Sequence, residues 1–241
     1  MPERGIALIV SLMAVLLLSG LGLALVLTTS TEAMVAANFR NGQEALYAAD
    51  AALERVLSDL LAVPDWNPIL AGWGTSAFVD GPSGGPRLLP DGTRIDLTEA
   101  TNLLNCGRLS NCSVAEMNAA TEERPWGADN PRWRLYAHGP LRDVLPTALI
   151  DSPVYVMVWT ADDPAENDSD PTRDGSTAAN PGTGVLALRA EAFGPVGSRR
   201  AIEATVANQA YMGDTEELEI DDDPDEIGHP AMQVLSWREV R

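Results

Sequence analysis

IALIVSLMAVLLLSGLGLALVL, residues 6–27, is an apolar run broken only by Ser11, Ser19, Gly20 and Gly22. A helix rises about 1.5 Å per residue, so this run reaches roughly 33 Å, enough to cross the hydrocarbon core of a bilayer. The leader Met1-Pro-Glu-Arg-Gly5 before it is short and charged and is expected to be non-helical. Thr28-Thr-Ser-Thr-Glu32 follows the run. A secretory signal peptide would show a shorter apolar stretch and a small-x-small cleavage site, so residues 6–27 read as a membrane span. Arg4 keeps the leader end in the cytoplasm and sends the rest of the chain to the other side.

The helix is expected to continue past the membrane. Leu46, Ala49, Leu53, Val56, Leu57 and Leu60 recur at three- and four-residue intervals, while Glu44, Asp50, Glu54, Arg55 and Asp59 take the opposite side. Pro64 is the stop signal. Residues 28–63 thus read as an amphipathic continuation, giving one helix of roughly 55 residues whose second half packs on a globular domain.

The segment Glu3-Arg-Gly-Ile-Ala-Leu-Ile-Val10 resembles the processing site of type IV pilins and pseudopilins, and Asn38-Phe-Arg-Asn-Gly-Gln-Glu-Ala-Leu-Tyr-Ala-Ala-Asp-Ala-Ala-Leu-Glu-Arg55 resembles the stretch after the span in minor pilins of the PilX N-terminal type. The resemblance implies that a prepilin peptidase cuts after Gly5 and methylates Ile6, and that the helix then assembles with other pilins or pseudopilins. It also implies residence in the inner membrane with the C-terminal domain outside the cytoplasm, followed by transfer to a pilus or pseudopilus. One position departs from the common pattern: the fifth residue after Gly5, usually glutamate in the family, is Val10. An intramembrane carboxylate is costly unless paired, and in the family it pairs with the terminal amine of the neighbouring subunit nearer the tip. A subunit with no neighbour above it needs no such group, so Val10 suggests a place in a tip or priming complex. A K-like pseudopilin of type II secretion shares that loss and stays open as an alternative. So does a single-span, membrane-tethered calcium-binding or adhesive module.

The formal net charge is -19, and all sixteen basic side chains are arginine. The acidic residues fall almost wholly after the span, which argues against nucleic acid as a partner. Cys106 and Cys112 are the two cysteines. Outside the cytoplasm such a close pair is most simply a disulfide; two free thiols are the alternative, and zinc would need ligands that the distant His138 and His229 do not offer.

Residues 64–241 read as an α+β domain. From Asp65 to Pro131 the chain is rich in Gly, Pro, Trp and Asn and is expected to form irregular loops, with a short strand at Thr93–Leu97 and a short helix at Val114–Glu122. Trp133–Ala137, Val154–Thr160, Gly184–Phe193, Ala201–Ala207 and Met232–Trp237 have the β-branched and aromatic content of strands. Gly194-Pro-Val-Gly-Ser198 is a turn, so the strands flanking it should form an antiparallel hairpin with Arg189 opposite Glu203.

The loop Asp162-Asp163-Pro-Ala-Glu166-Asn167-Asp168-Ser-Asp170-Pro-Thr-Arg-Asp174 concentrates hard oxygen ligands. Calcium takes six to eight such oxygens and tolerates irregular loops, so Asp162, Asp163, Glu166, Asn167, Asp168, Asp170 and Asp174 are candidate ligands, with a solvated polar loop as the alternative. The offsets are not those of an EF-hand. A second acidic run, Asp214–Glu226, reads as solvated. There is no nucleophile elbow, phosphate loop or zinc motif, and no enzymatic activity or other cofactor is expected.

Overall fold

The computed structural model describes residues 3–89, 91–119, 129–144, 151–163, 165–166, 168–175, 184–208 and 232–240. The chain divides into two compact units, Met1–Gln43 and Glu44–Arg241. Helix α1, Glu3–Leu61, runs through the first and into the second.

In the first unit α1 is long and apolar enough to cross a membrane, and its residues 6–40 are exposed. The hydroxyls of Ser11, Thr28, Thr29 and Thr31 donate to carbonyls three or four residues earlier, so these polar side chains find partners within the helix itself. The helix already includes Glu3, Arg4 and Gly5, which corrects the expectation of a non-helical leader. A glycine at a helix end costs about 1 kcal/mol relative to alanine, too little to stop a helix propagating from the long run beside it.

In the second unit, Ala45, Ala48, Ala49, Ala52, Leu53, Val56 and Leu60 form the buried stripe of α1, with Leu57 at its margin. Glu54 and Ser58 stay exposed, and Arg55 pairs with Asp59 one turn on. The helix ends three residues before Pro64 in a tightened turn, where the N–H groups of Ala62 and Val63 donate to Asp59 and Leu60. A single turn, α2 (Asn67–Leu70), buries Ile69 and Leu70.

The sheet is antiparallel and five-stranded, in the order β3 (Arg134–Pro140), β4 (Tyr155–Asp162), β5 (Val185–Phe193), β6 (Arg199–Asn208) and β7 (Met232–Val240), with β1 (Pro86–Leu88) and β2 (Arg94–Asp96) forming a separate ribbon. Val154, Val156, Val158, Leu186, Leu188, Ile202 and Val206 meet the α1 stripe in the main core. Each fully buried aliphatic side chain there contributes about 1.5–3 kcal/mol. Tyr155, Met157 and Trp159 face the other way, into a second core with Leu89 and Leu97. With both faces covered, β4 is buried throughout, which is why it reads as a continuous apolar run.

The β5–β6 hairpin forms as expected, with Arg189 opposite Glu203. Arg189 pairs with Glu203 and with the fully buried Glu191, which also takes Arg199, while Glu203 also takes Arg238 from β7. The segment 65–131 is more regular than expected. α3 (Leu97–Cys106) starts on Asp96, whose carboxylate accepts the N–H groups of Thr98 and Glu99, and ends on Gly107 in the left-handed conformation at φ 69°. Trp159 Nε1 donates to Thr101 Oγ1 at 2.9 Å and ties α3 to β4. α4 is described over Val114–Ala119, and the remainder of the expected helix lies outside the described residues, as does the run Asp214–Glu226.

Candidate functional site

Three sets of residues singled out in the sequence differ in how the fold treats them. Gly5 and Ile6 lie within α1, and Ile6 is 62% exposed, as is its surrounding apolar surface. Val10 is likewise exposed. Cys106 and Cys112 form a disulfide with their Cα atoms 6.0 Å apart, closing the loop that follows α3. On the other side of α3, Asn105 donates to the carbonyl of Trp133 and accepts its N–H at 3.0 and 2.8 Å, so the bridge braces a helix end already docked to the lead-in of β3.

Of the six described candidate ligands in the acidic loop, three come together. Asp162, at the end of β4, is brought together with Glu166 and Asp174, and one carboxylate oxygen from each lies within 4.8 Å of the others. All three side chains are more than nine-tenths buried. Asp163, Asp168 and Asp170 instead turn back on their own loop: Asp163 accepts the N–H of Ala165, Asp168 that of Asp170, and Asp170 both the N–H and the hydroxyl of Thr172. Short polar side chains close such turns readily, and this is why they leave the cluster. Asn167 lies outside the described residues.

Burial is the main cause of the electrostatics here. It raises Asp162, Glu166 and Asp174 above the ordinary carboxylate range, and mutual repulsion raises them further: Glu166 and Asp174 act on Asp162, and Asp168 and Asp174 on Glu166. A hydrogen bond from Asp162 holds Glu166 back. No ion pair among the described residues includes Asp162 or Asp174. Such a group either retains protons at neutral pH or receives a cation, and its all-oxygen donors suit a hard divalent ion.

The anchor that places Asp174 has no local signature in the sequence. Its N–H donates to Asn67 Oδ1 at 3.0 Å, its carboxylate accepts the N–H of Gly184 at 2.8 Å, and Asn67 is in turn fixed by Asp65. The available signal was Asp65-Trp-Asn-Pro68, an Asx-turn pattern that gives no hint of its distant partner.

Residues 4–54 match the family model described as PilX N-terminal, so the N-terminal region of this chain is similar to that of PilX-type type IV minor pilins. No curated protein and no solved structure matches the chain.

Proposed function

We propose that the chain is a minor pilin-like subunit of a type IV pilus-type filament, placed in its tip or priming complex. On this reading it waits in the inner membrane with residues 28–241 outside the cytoplasm, is cut after Gly5 by a prepilin peptidase, and assembles through the apolar face of α1. Its role is structural, not catalytic. The observation that carries the reading is the family match over residues 4–54, coinciding with an exposed apolar helix that has Val10 where a buried pairing carboxylate would otherwise be needed. Co-expression with a prepilin peptidase should remove five residues and leave methylated Ile6, and Gly5→Leu should block the cut. An intact Met1 on protein recovered from membranes with active peptidase would sink the reading. Co-assembly with type II secretion pseudopilins in place of pilus components would favour the K-like alternative.

A second element rests on the buried carboxylates. Asp162, Glu166 and Asp174 are the ligands on which a calcium ion would bind, pinning the 163–175 loop to α2 and β4. Three carboxylates supply up to six oxygens, the lower end of what calcium takes. Calorimetry of the detergent-solubilised chain should show calcium binding that is abolished in Asp162→Asn and retained when exposed Asp168 is changed to Asn.

A further inference from the structure

A cleft of about 330 Å³ opens between the turn after α2, one side of α3 and the start of β3. That is the lower end of the range for small-ligand sites. The chain carries 35 acidic residues, yet none of the described residues lining the cleft is Asp or Glu. Its lining holds a cation, Arg134, which makes no ion pair among the described residues. Gly72, at φ +82°, turns the chain beside the Arg134 side chain.

Two buried side chains near the cleft each have a polar atom without a partner among the described residues. Thr160, opposite Arg134 in the β3–β4 register, lines the cleft and is fully buried, and its hydroxyl has no hydrogen-bond partner among the described residues. Arg132 is 7% exposed; its Nη2 donates to Asn118 Oδ1, while its Nη1 has no partner among the described residues. Burial and the charge of Arg134 both lower its pKa, so this corner of a strongly acidic protein holds two guanidinium groups with no described counterion. An anion delivered to the cleft would offset that repulsion, and a guanidinium pairs best with a planar carboxylate.

The remaining lining is neutral and hydroxyl-rich. Thr75 and Ser83 make no side-chain hydrogen bond among the described residues, and Thr98 accepts the N–H of Gly85 at 3.1 Å, leaving its own O–H to donate. Trp133 supplies an aromatic ring beside them. Independently of the filament reading, we propose that this cleft binds an acidic sugar, its single carboxylate on Arg134 and its hydroxyls among Thr75, Ser83, Thr98 and Thr160. One unpaired cation in the cleft fits one carboxylate, and the ring of donors and acceptors fits a polyol better than a bare ion.

The test is equilibrium binding of D-glucuronate to the full chain in detergent, beside D-glucose and acetate. Glucuronate should bind saturably, with glucose and acetate each at least about tenfold weaker, the scale of one charge-assisted contact or a few neutral ones. Arg134→Ala, at an exposed position, should weaken glucuronate at least about tenfold, and Thr160→Val, close to isosteric, should weaken it measurably. Arg142→Ala, outside the cleft, should change nothing. Absence of saturable glucuronate binding, acetate binding as tightly as glucuronate, or unchanged binding in either cleft variant would overturn the proposal.

Discussion

Raising the pH of the cation-free protein from about 5 to about 9 should destabilise it, and calcium should remove most of that dependence. The folded chain raises Glu166 to about 7 and Asp162 to about 9, from ordinary values of 4.5 and 3.8. Between the unfolded and folded values the native state holds protons that the unfolded chain releases. Stability is therefore full at or below the ordinary carboxylate range and is lost as pH rises, the reverse of the usual salt-bridged carboxylate. For one proton shared by the hydrogen-bonded pair the slope is about 1.4 kcal/mol per pH unit, so about 3 kcal/mol is lost between about pH 5 and about pH 7. A cation held by the folded state at a hundredfold excess over Kd restores about 2.7 kcal/mol, nearly the same amount. Because the cation must displace the shared proton, its affinity should tighten by up to about tenfold per pH unit across this range. Asp162→Asn can still accept the N–H of Asp163 while carrying no titrating group. It should flatten the profile, stabilise the cation-free protein at pH 8, and lose the calcium response. Thermal melts of the full chain in detergent, with calcium or with chelator, read all of these. A variant less stable than the parent at pH 8 without calcium, or a calcium-induced shift in Tm that does not vary with pH, would refute the reasoning.

Three further outcomes follow from the fold. Cys106 and Cys112 should resist alkylation until reduced, and replacing both with serine should cost about 2 kcal/mol or less, since the loop is short; mass spectrometry and denaturant melts check this. Glu191→Ala should cost about 1.5–3 kcal/mol by removing the buried carboxylate that Arg189 and Arg199 share, Arg189 keeping Glu203, whereas Arg142→Ala, at a solvent-exposed pair with Asp143, should stay within about 0.5 kcal/mol. Leu53→Ala, in the middle of the α1 stripe, should cost about 2–5 kcal/mol in chemical denaturation, while Leu21→Ala, in the exposed apolar stretch, should leave the midpoint unchanged.

Periodicity made α1 and the sheet legible because each has at least one face whose burial the sequence must encode. Leu53, Val56, Leu57 and Leu60 specify the helix face, and the Val-, Leu- and Ala-rich strands specify the sheet down to the Arg189–Glu203 register. The α3 helix was missed for a different reason. Its apolar residues serve the smaller core, where Leu97 is fully buried and Leu104 only partly, so its stripe is faint. What identifies it is punctuation: Asp96 three residues before Glu99, and Gly107 just past its end. Read as start and stop signals, these would have placed a helix where Gly- and Asn-rich composition suggested only loop.

The acidic loop shows why composition finds a region but not a site. Counting carboxylates cannot separate Asp170, whose oxygen closes its own turn on Thr172, from Asp174, which Asn67 and Gly184 hold inward. The two residues are four apart and chemically identical, yet one is part-exposed and the other is 6% exposed. Burial sets the cost of ionisation, and that cost is what gives a cation something to offset. The place of Asp174 among the candidate ligands therefore rests in part on Asn67, 107 residues away in sequence, and a single sequence carries no local pattern from which that contact can be read.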